Sequence, residues 1–167
     1  LIGMGLLIVG VHDGNKVTRV ICGAVALGFA IAALILLGVG WGERTVLNGM
    51  FVIDKFAGFL KLIILAGLIA TLALSARYIR DEGVERFAYP ILILFAGIGM
   101  MMMVSANNLL ALYMALELQS LSLYVLAAFH RNSLRSSEAG IKYFILGALS
   151  SGMLLFGISL IYGFTGS

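Results

Sequence analysis

The sequence predicts an all-α polytopic membrane protein, a bundle of about six transmembrane helices. Three observations predict it. The 167 residues are 62% hydrophobic and 11% charged, against about 45–50% apolar and about 25% charged in an average soluble domain. The few charges fall between apolar runs or near their ends. Most of the runs themselves have the length of about 20 residues that a hydrocarbon layer about 30 Å thick requires. A net charge of +3 carried by so few groups reads as membrane topology. A nucleic-acid surface would need Lys and Arg gathered on one face, so no nucleic-acid partner is expected.

Leu1 to Val11 reads as the tail of a first helix, ended by the polar turn HDGNK (His12 to Lys16). No basic leader and no convincing small-residue cleavage site mark it as a signal peptide, so a truncated helix and a piece of a larger protein are expected. Val17 to about Gly40 is a second helix. Trp41 to Lys55 is a longer loop, with Trp41 where aromatic residues anchor an interface. Phe56 to about Tyr78 is a third helix, and RDEGVER (Arg80 to Arg86) a solvated connection. The fourth helix runs from about Tyr89 to Ser105, with Pro90 in its first turn, where proline is tolerated. Ala106-Asn107-Asn108 makes a tight turn. The fifth helix follows from about Leu109 to Phe129 and the sixth from about Ser136 to Tyr162. Ser136 and Ser137 are the expected caps of the sixth, with Glu138 in its first turn facing the dipole. Short connections make the helices antiparallel neighbours in one bundle, with residues 1–105 carrying helices one to four and 106–167 helices five and six. No strand, repeat or disordered tract is expected.

Lys and Arg are unequally shared between the two ends of this bundle. The turns after helices one, three and five hold Lys16, Arg19, Arg77, Arg80, Arg86, Arg131 and Arg135; those after two and four hold Arg44 and Lys55. The positive-inside rule places the odd-numbered turns in the cytoplasm.

Two ionisable residues sit inside apolar runs, where a charge away from the interface costs about 2.5–3.5 kcal/mol on insertion scales. Glu117 lies about eight residues, or about 12 Å, into its helix, close to the midplane. Tyr113, Ser120 and Tyr124 share its face by helical spacing, and Gln119 and Ser122 look like inter-helix hydrogen-bonding groups. Glu117 is either a permanently protonated acid bonded to a neighbouring helix or a titratable group on a proton or ion path, and its depth favours the second. Lys142, about six residues into its helix, can serve a path or snorkel to the interface, with Glu138 as a local partner at i−4. Lys61 reads more simply as a snorkelling lysine. The run Met100 to Met103 suits packing or lipid contact better than a metal site. Gly147, Ala148, Ser151 and Gly152 are small residues that let helices approach. Cys22 is the only cysteine, which excludes an internal disulfide, and His12 and His130 lie far apart, so no metal site is expected. No phosphate loop, nucleophile elbow or zinc motif is present.

The motifs ELQSLSLYVL and SLRSSEAGIKYFILGALSSG, within a dense match over residues 107 to 166, resemble the subunit N family of bacterial respiratory complex I, the proton-pumping NADH:quinone oxidoreductase. VIDKFAGFLKLIILAG in the third helix adds weaker support. The resemblance implies a 14-helix antiporter-like subunit with both termini outside, built on inverted five-helix repeats of which the first begins at the fourth helix, near residue 89. It implies that Glu117 matches the helix-five glutamate that pairs with a lysine of a broken seventh helix on a half-membrane proton path. It implies that Lys142 matches the charged lysine of the sixth-helix KYF motif. Further implied are a bacterial inner (plasma) membrane location and other membrane subunits, antiporter-like ones included, as partners alongside lipids. No cofactor is expected in this chain: FMN, iron–sulfur clusters and quinone belong to partner subunits. A subunit of a multisubunit sodium/proton exchanger is the alternative, since such subunits share the glutamate but generally differ around ELQSLSLY. A purely structural membrane subunit is a third.

Overall fold

Residues 5, 18–38, 42, 44–81, 87–130 and 132–166 are described by the computed structural model. The first predicted helix apart from Gly5, together with His12, Trp41 and residues 82–86 of the predicted Arg80–Arg86 connection, lies outside them; Arg80 and Asp81, expected in that connection, instead end a helix. In chain order the elements are α1 (Thr18–Gly38), β1 (Arg44–Val46), β2 (Phe51–Ile53), α2 (Lys55–Asp81), α3 (Ala88–Ser105), α4 (Leu109–Ala127) and α5 (Leu134–Thr165). All five helices are long and apolar enough to cross a membrane. They agree with the expected helices two to six.

The core is a three-helix seam. Ile21, Val25 and Phe29 recur every fourth residue on α1 and are buried, as are Leu65, Leu68 and Leu72 on α2 and Ile91 and Ile93 on α3. The α1 and α2 sets follow the period of one helical face. Gly97 of α3 keeps this seam tight, because a Cβ there would meet Leu68 Cδ1 at 2.6 Å and Phe29 Cζ at 3.3 Å. α4 then packs on α3, and α5 on α4. Most of the α5 surface is uncovered, with Leu146, Leu149, Met153 and Phe156 among its exposed apolar side chains. Hydrocarbon tolerates such a surface where water would not.

Two further expectations are corrected here. The loop from Trp41 to Lys55 holds an antiparallel hairpin, with Arg44 opposite Ile53, Thr45 opposite Val52 and Val46 opposite Phe51. Its strands are rich in β-branched and aromatic residues. Its turn puts Leu47, Asn48 and Gly49 at φ 54°, 56° and 85°, a left-handed stretch that Asn and Gly adopt readily. The hairpin docks on the α3–α4 turn, where Asn107 donates its backbone N–H to Met50 O (2.8 Å) and its side-chain amide to Gly49 O (2.9 Å).

The second correction concerns the start of the last helix. Ser133 is extended and accepts a hydrogen bond from Ser136 N (3.4 Å), so the cap lies three residues before Ser136. Glu138 therefore sits in the second turn and not the first. Ser136 instead donates its hydroxyl to Ala127 O (3.0 Å), tying α5 to the end of α4. At the opposite end of the bundle, Asp54 caps α2 by accepting from Ala57 N (2.7 Å). Asp54→Ala is expected to lower stability by about 1 kcal/mol, read as an earlier thermal unfolding midpoint in detergent.

Candidate functional site

α4 begins at Asn108, whose side chain accepts from Leu110 N (2.8 Å) and fixes the register of the helix. Glu117 falls near the middle of its 19 residues and is half-buried. The antiparallel α5 brings Ser151 against it, and the buried Ser151 hydroxyl donates to Glu117 Oε1. Tyr113, one turn before Glu117, places its hydroxyl 3.1 Å from Ser151 Oγ. Ser151 has a single hydroxyl proton. With that proton committed to Glu117, the Tyr113 hydroxyl is the donor to Ser151. The site is thus a short chain of oxygens, Tyr113 to Ser151 to Glu117, laid across the α4–α5 seam.

The remaining predicted residues are distributed differently. Tyr124 is buried two turns further on, with its phenol end over Gly147 and its ring edge-on to Tyr143 (centroids 4.8 Å) and Phe144 (5.7 Å). Ser120 is half-buried on α4, but among the described residues the hydrogen bond to Glu117 comes from Ser151. Ser122 donates to Leu118 O of its own helix (2.9 Å) and not across the seam as expected. Gln119 meets α3 through its backbone, against Gly99.

Lys142 is not brought to Glu117. It pairs with Glu138 at 2.6 Å on the exposed face of α5. It lies nine residues before Ser151, about 13 Å along the helix axis. Because α5 starts earlier than expected, Lys142 is about 12 Å from the helix start and not about 9 Å. Lys61 is half-buried on α2 and interacts electrostatically with Asp54, on the hairpin side of the bundle. α2 packs on α1 and α3, which separates Lys61 from the Glu117 cluster.

Ser151 is the site residue that sequence reasoning missed. Its place among Gly147, Ala148 and Gly152 marked it as a packing residue. Gly147 does pack, against Tyr124, whereas Gly152 faces open space. The available signal was polarity: a hydroxyl in an otherwise apolar seam, spaced to meet the acid of the neighbouring helix.

Comparison with known proteins agrees with this architecture. A family model described as "NADH:quinone oxidoreductase/Mrp antiporter, TM" matches residues 106–167, which hold α4 and α5. NADH-quinone oxidoreductase subunit N of Paramagnetospirillum magneticum is 51% identical over 166 residues, covering 99% of this chain and 34% of the relative. Subunit N of Parvibaculum lavamentivorans is 54% identical over 165 residues, covering 98% and 34%. Among solved structures, a chain of respiratory complex I from Thermus thermophilus with bound aureothin superposes with a TM-score of 0.81 at 32% identity, over 99% of this chain and 35% of that one. A chain of the archaeal membrane-bound sulfane sulfur reductase shares the fold, with a TM-score of 0.77 at 21% identity over 98% of this chain and 35% of that one. By sequence and by structure the chain belongs to the family of antiporter-like membrane subunits that contains NADH-quinone oxidoreductase subunit N, and it spans about a third of the length of those relatives.

Proposed function

We propose that this chain is part of a proton-translocating membrane subunit of NADH:quinone oxidoreductase. It carries no redox step itself; FMN, iron–sulfur clusters and quinone act in partner subunits, among them further antiporter-like ones. The observation that carries the reading is Glu117, a carboxyl group midway along a membrane-spanning helix, met by a hydroxyl from the next helix. Placing a charge-bearing group there is costly, and intramembrane acids of this kind mark ion and proton paths. The proposed location is the bacterial plasma membrane, with the turn between α4 and α5 on the cytoplasmic side, as the loop charges indicate.

The mechanism is electrostatic. A cation approaching Glu117 favours its ionised form, and removal of that cation in a poorly solvated setting favours the protonated one. Movement of a positive charge elsewhere in the subunit therefore loads and unloads Glu117. Lys142 belongs to the same proposal as a second charged step, reached through groups other than Glu117. The family description also names the Mrp antiporters. Identities of 51–54% to subunit N favour the redox-driven complex over an exchanger.

NADH-driven acidification of inverted membrane vesicles tests this, comparing wild type with Glu117→Gln and checking assembly on a native gel. Lost pumping with the complex intact is the expected outcome; full pumping would leave Glu117 a structural acid. Absence of the protein from any NADH-oxidising complex would turn the reading to the exchanger. Lys142→Met is expected to slow acidification less than Glu117→Gln does, with assembly unchanged because the pair it breaks is exposed.

A further inference from the structure

We propose that Ser151 is a positioning residue for Glu117 and that Tyr113 and Ser151 together form a two-hydroxyl relay through which Glu117 gains and loses its proton. This rests on the reading of Glu117 as a proton-path residue and adds the groups that hand the proton over. The order of hydrogen bonds carries it. Tyr113 donates to Ser151, Ser151 donates to Glu117 Oε1, and the middle member is buried. Tyr113 and Ser151 lie 38 residues apart in sequence and on different helices, so the chain exists only because α4 and α5 pack antiparallel in this register. Tyr113 is the member nearer to the Asn107–Asn108 turn, so the relay extends from Glu117 toward the hairpin side of the bundle.

The step balances with water as the outer partner. A hydrated proton bonds to Tyr113 Oη while the former Tyr113 O–H breaks and its proton bonds to Ser151 Oγ. The former Ser151 O–H breaks in turn, and its proton bonds to Glu117 Oε1. One proton leaves water, one carboxylate becomes a carboxylic acid, and both hydroxyls are regenerated. Rotation about the Cβ–Oγ bond of serine and the Cζ–Oη bond of tyrosine returns both hydroxyls to the donating orientation. The reverse sequence unloads Glu117. Ser151 also fixes the carboxyl orientation, since a hydroxyl bonded to a charged acceptor is among the stronger hydrogen bonds in proteins.

The test is NADH-driven proton uptake by inverted vesicles containing the complete complex, in Ser151→Ala, Ser151→Thr, Tyr113→Phe and Glu117→Gln variants, each verified as assembled on a native gel. Ser151→Ala is expected to slow uptake about tenfold, the size of one hydrogen bond to a charged group. Tyr113→Phe keeps the ring and loses the outer hydroxyl, and is expected to slow uptake as well. Ser151→Thr retains the hydroxyl and is expected to restore uptake, which a role in packing alone would not require. Wild-type uptake in either Ser151→Ala or Tyr113→Phe, with uptake lost in Glu117→Gln, overturns the relay and leaves the proton-path reading standing. Failure of Ser151→Thr to restore uptake also overturns it. Wild-type uptake in Glu117→Gln overturns the proton-path reading and the relay with it.

Discussion

Gly99→Leu destabilises the bundle by about 1–3 kcal/mol, the range for overfilling a close-packed site, and reduces the amount of assembled complex recovered from membranes. The reason is the closeness of α3 and α4. A Cβ at Gly99 would meet Gln119 N at 2.7 Å and Ala115 O at 2.8 Å, both backbone atoms that cannot swing aside. A leucine must push the two helices apart, and on α4 Glu117 lies between the two contact residues Ala115 and Gln119. Pumping per assembled complex is expected to fall along with stability. Gly67→Ala is the matching control. Among the described residues, nothing outside the local helix backbone lies within 4 Å of a Cβ at Gly67 on α2, and alanine is the better helix former by about 1 kcal/mol, so stability is retained or raised. Thermal unfolding in detergent and native-gel yield check both.

Glu117→Gln slows NADH-driven proton uptake by about 10²-fold or more, the lower end of what a positioned acid–base group contributes. The amide matches the carboxyl in shape and can still accept the Ser151 hydroxyl, so the α4–α5 seam closes as before. What it cannot do is bind and release a proton. The effect therefore falls on transport and spares assembly, the separation that distinguishes a path residue from a helix-pinning one. A structural acid would give the opposite result: unchanged transport, and loss only when the residue is removed altogether.

The membrane spans were legible because hydropathy over some twenty residues is a collective signal that no single side chain can overturn. The order of helices and the antiparallel pairing of α4 with α5 followed from short turns. The hairpin was not read. Its strands are three residues each, too short for alternation to declare itself, although Asn48-Gly49 between β-branched residues was a usable sign of a turn. The α5 cap was misplaced because SLRSS offers three serines, and only the extended backbone of Ser133 selects among them. At the site, Glu117 and Tyr113 were legible from helical spacing on one strand of sequence. Ser151 was not, because its role depends on the register between two helices, which periodicity within either one does not reveal. The same limit applies to Ser122, whose hydroxyl turns back to its own backbone, a choice available to any serine in a helix.

The most direct measurement is the infrared difference spectrum of the assembled complex during NADH-driven turnover, recorded for wild type and Glu117→Gln. A carboxylic carbonyl band that rises and decays in the wild type and is missing in Glu117→Gln is the expected result, showing that Glu117 itself takes up and releases a proton. An identical carbonyl spectrum in the two proteins, with turnover under way, would contradict the assignment of Glu117 to the proton path.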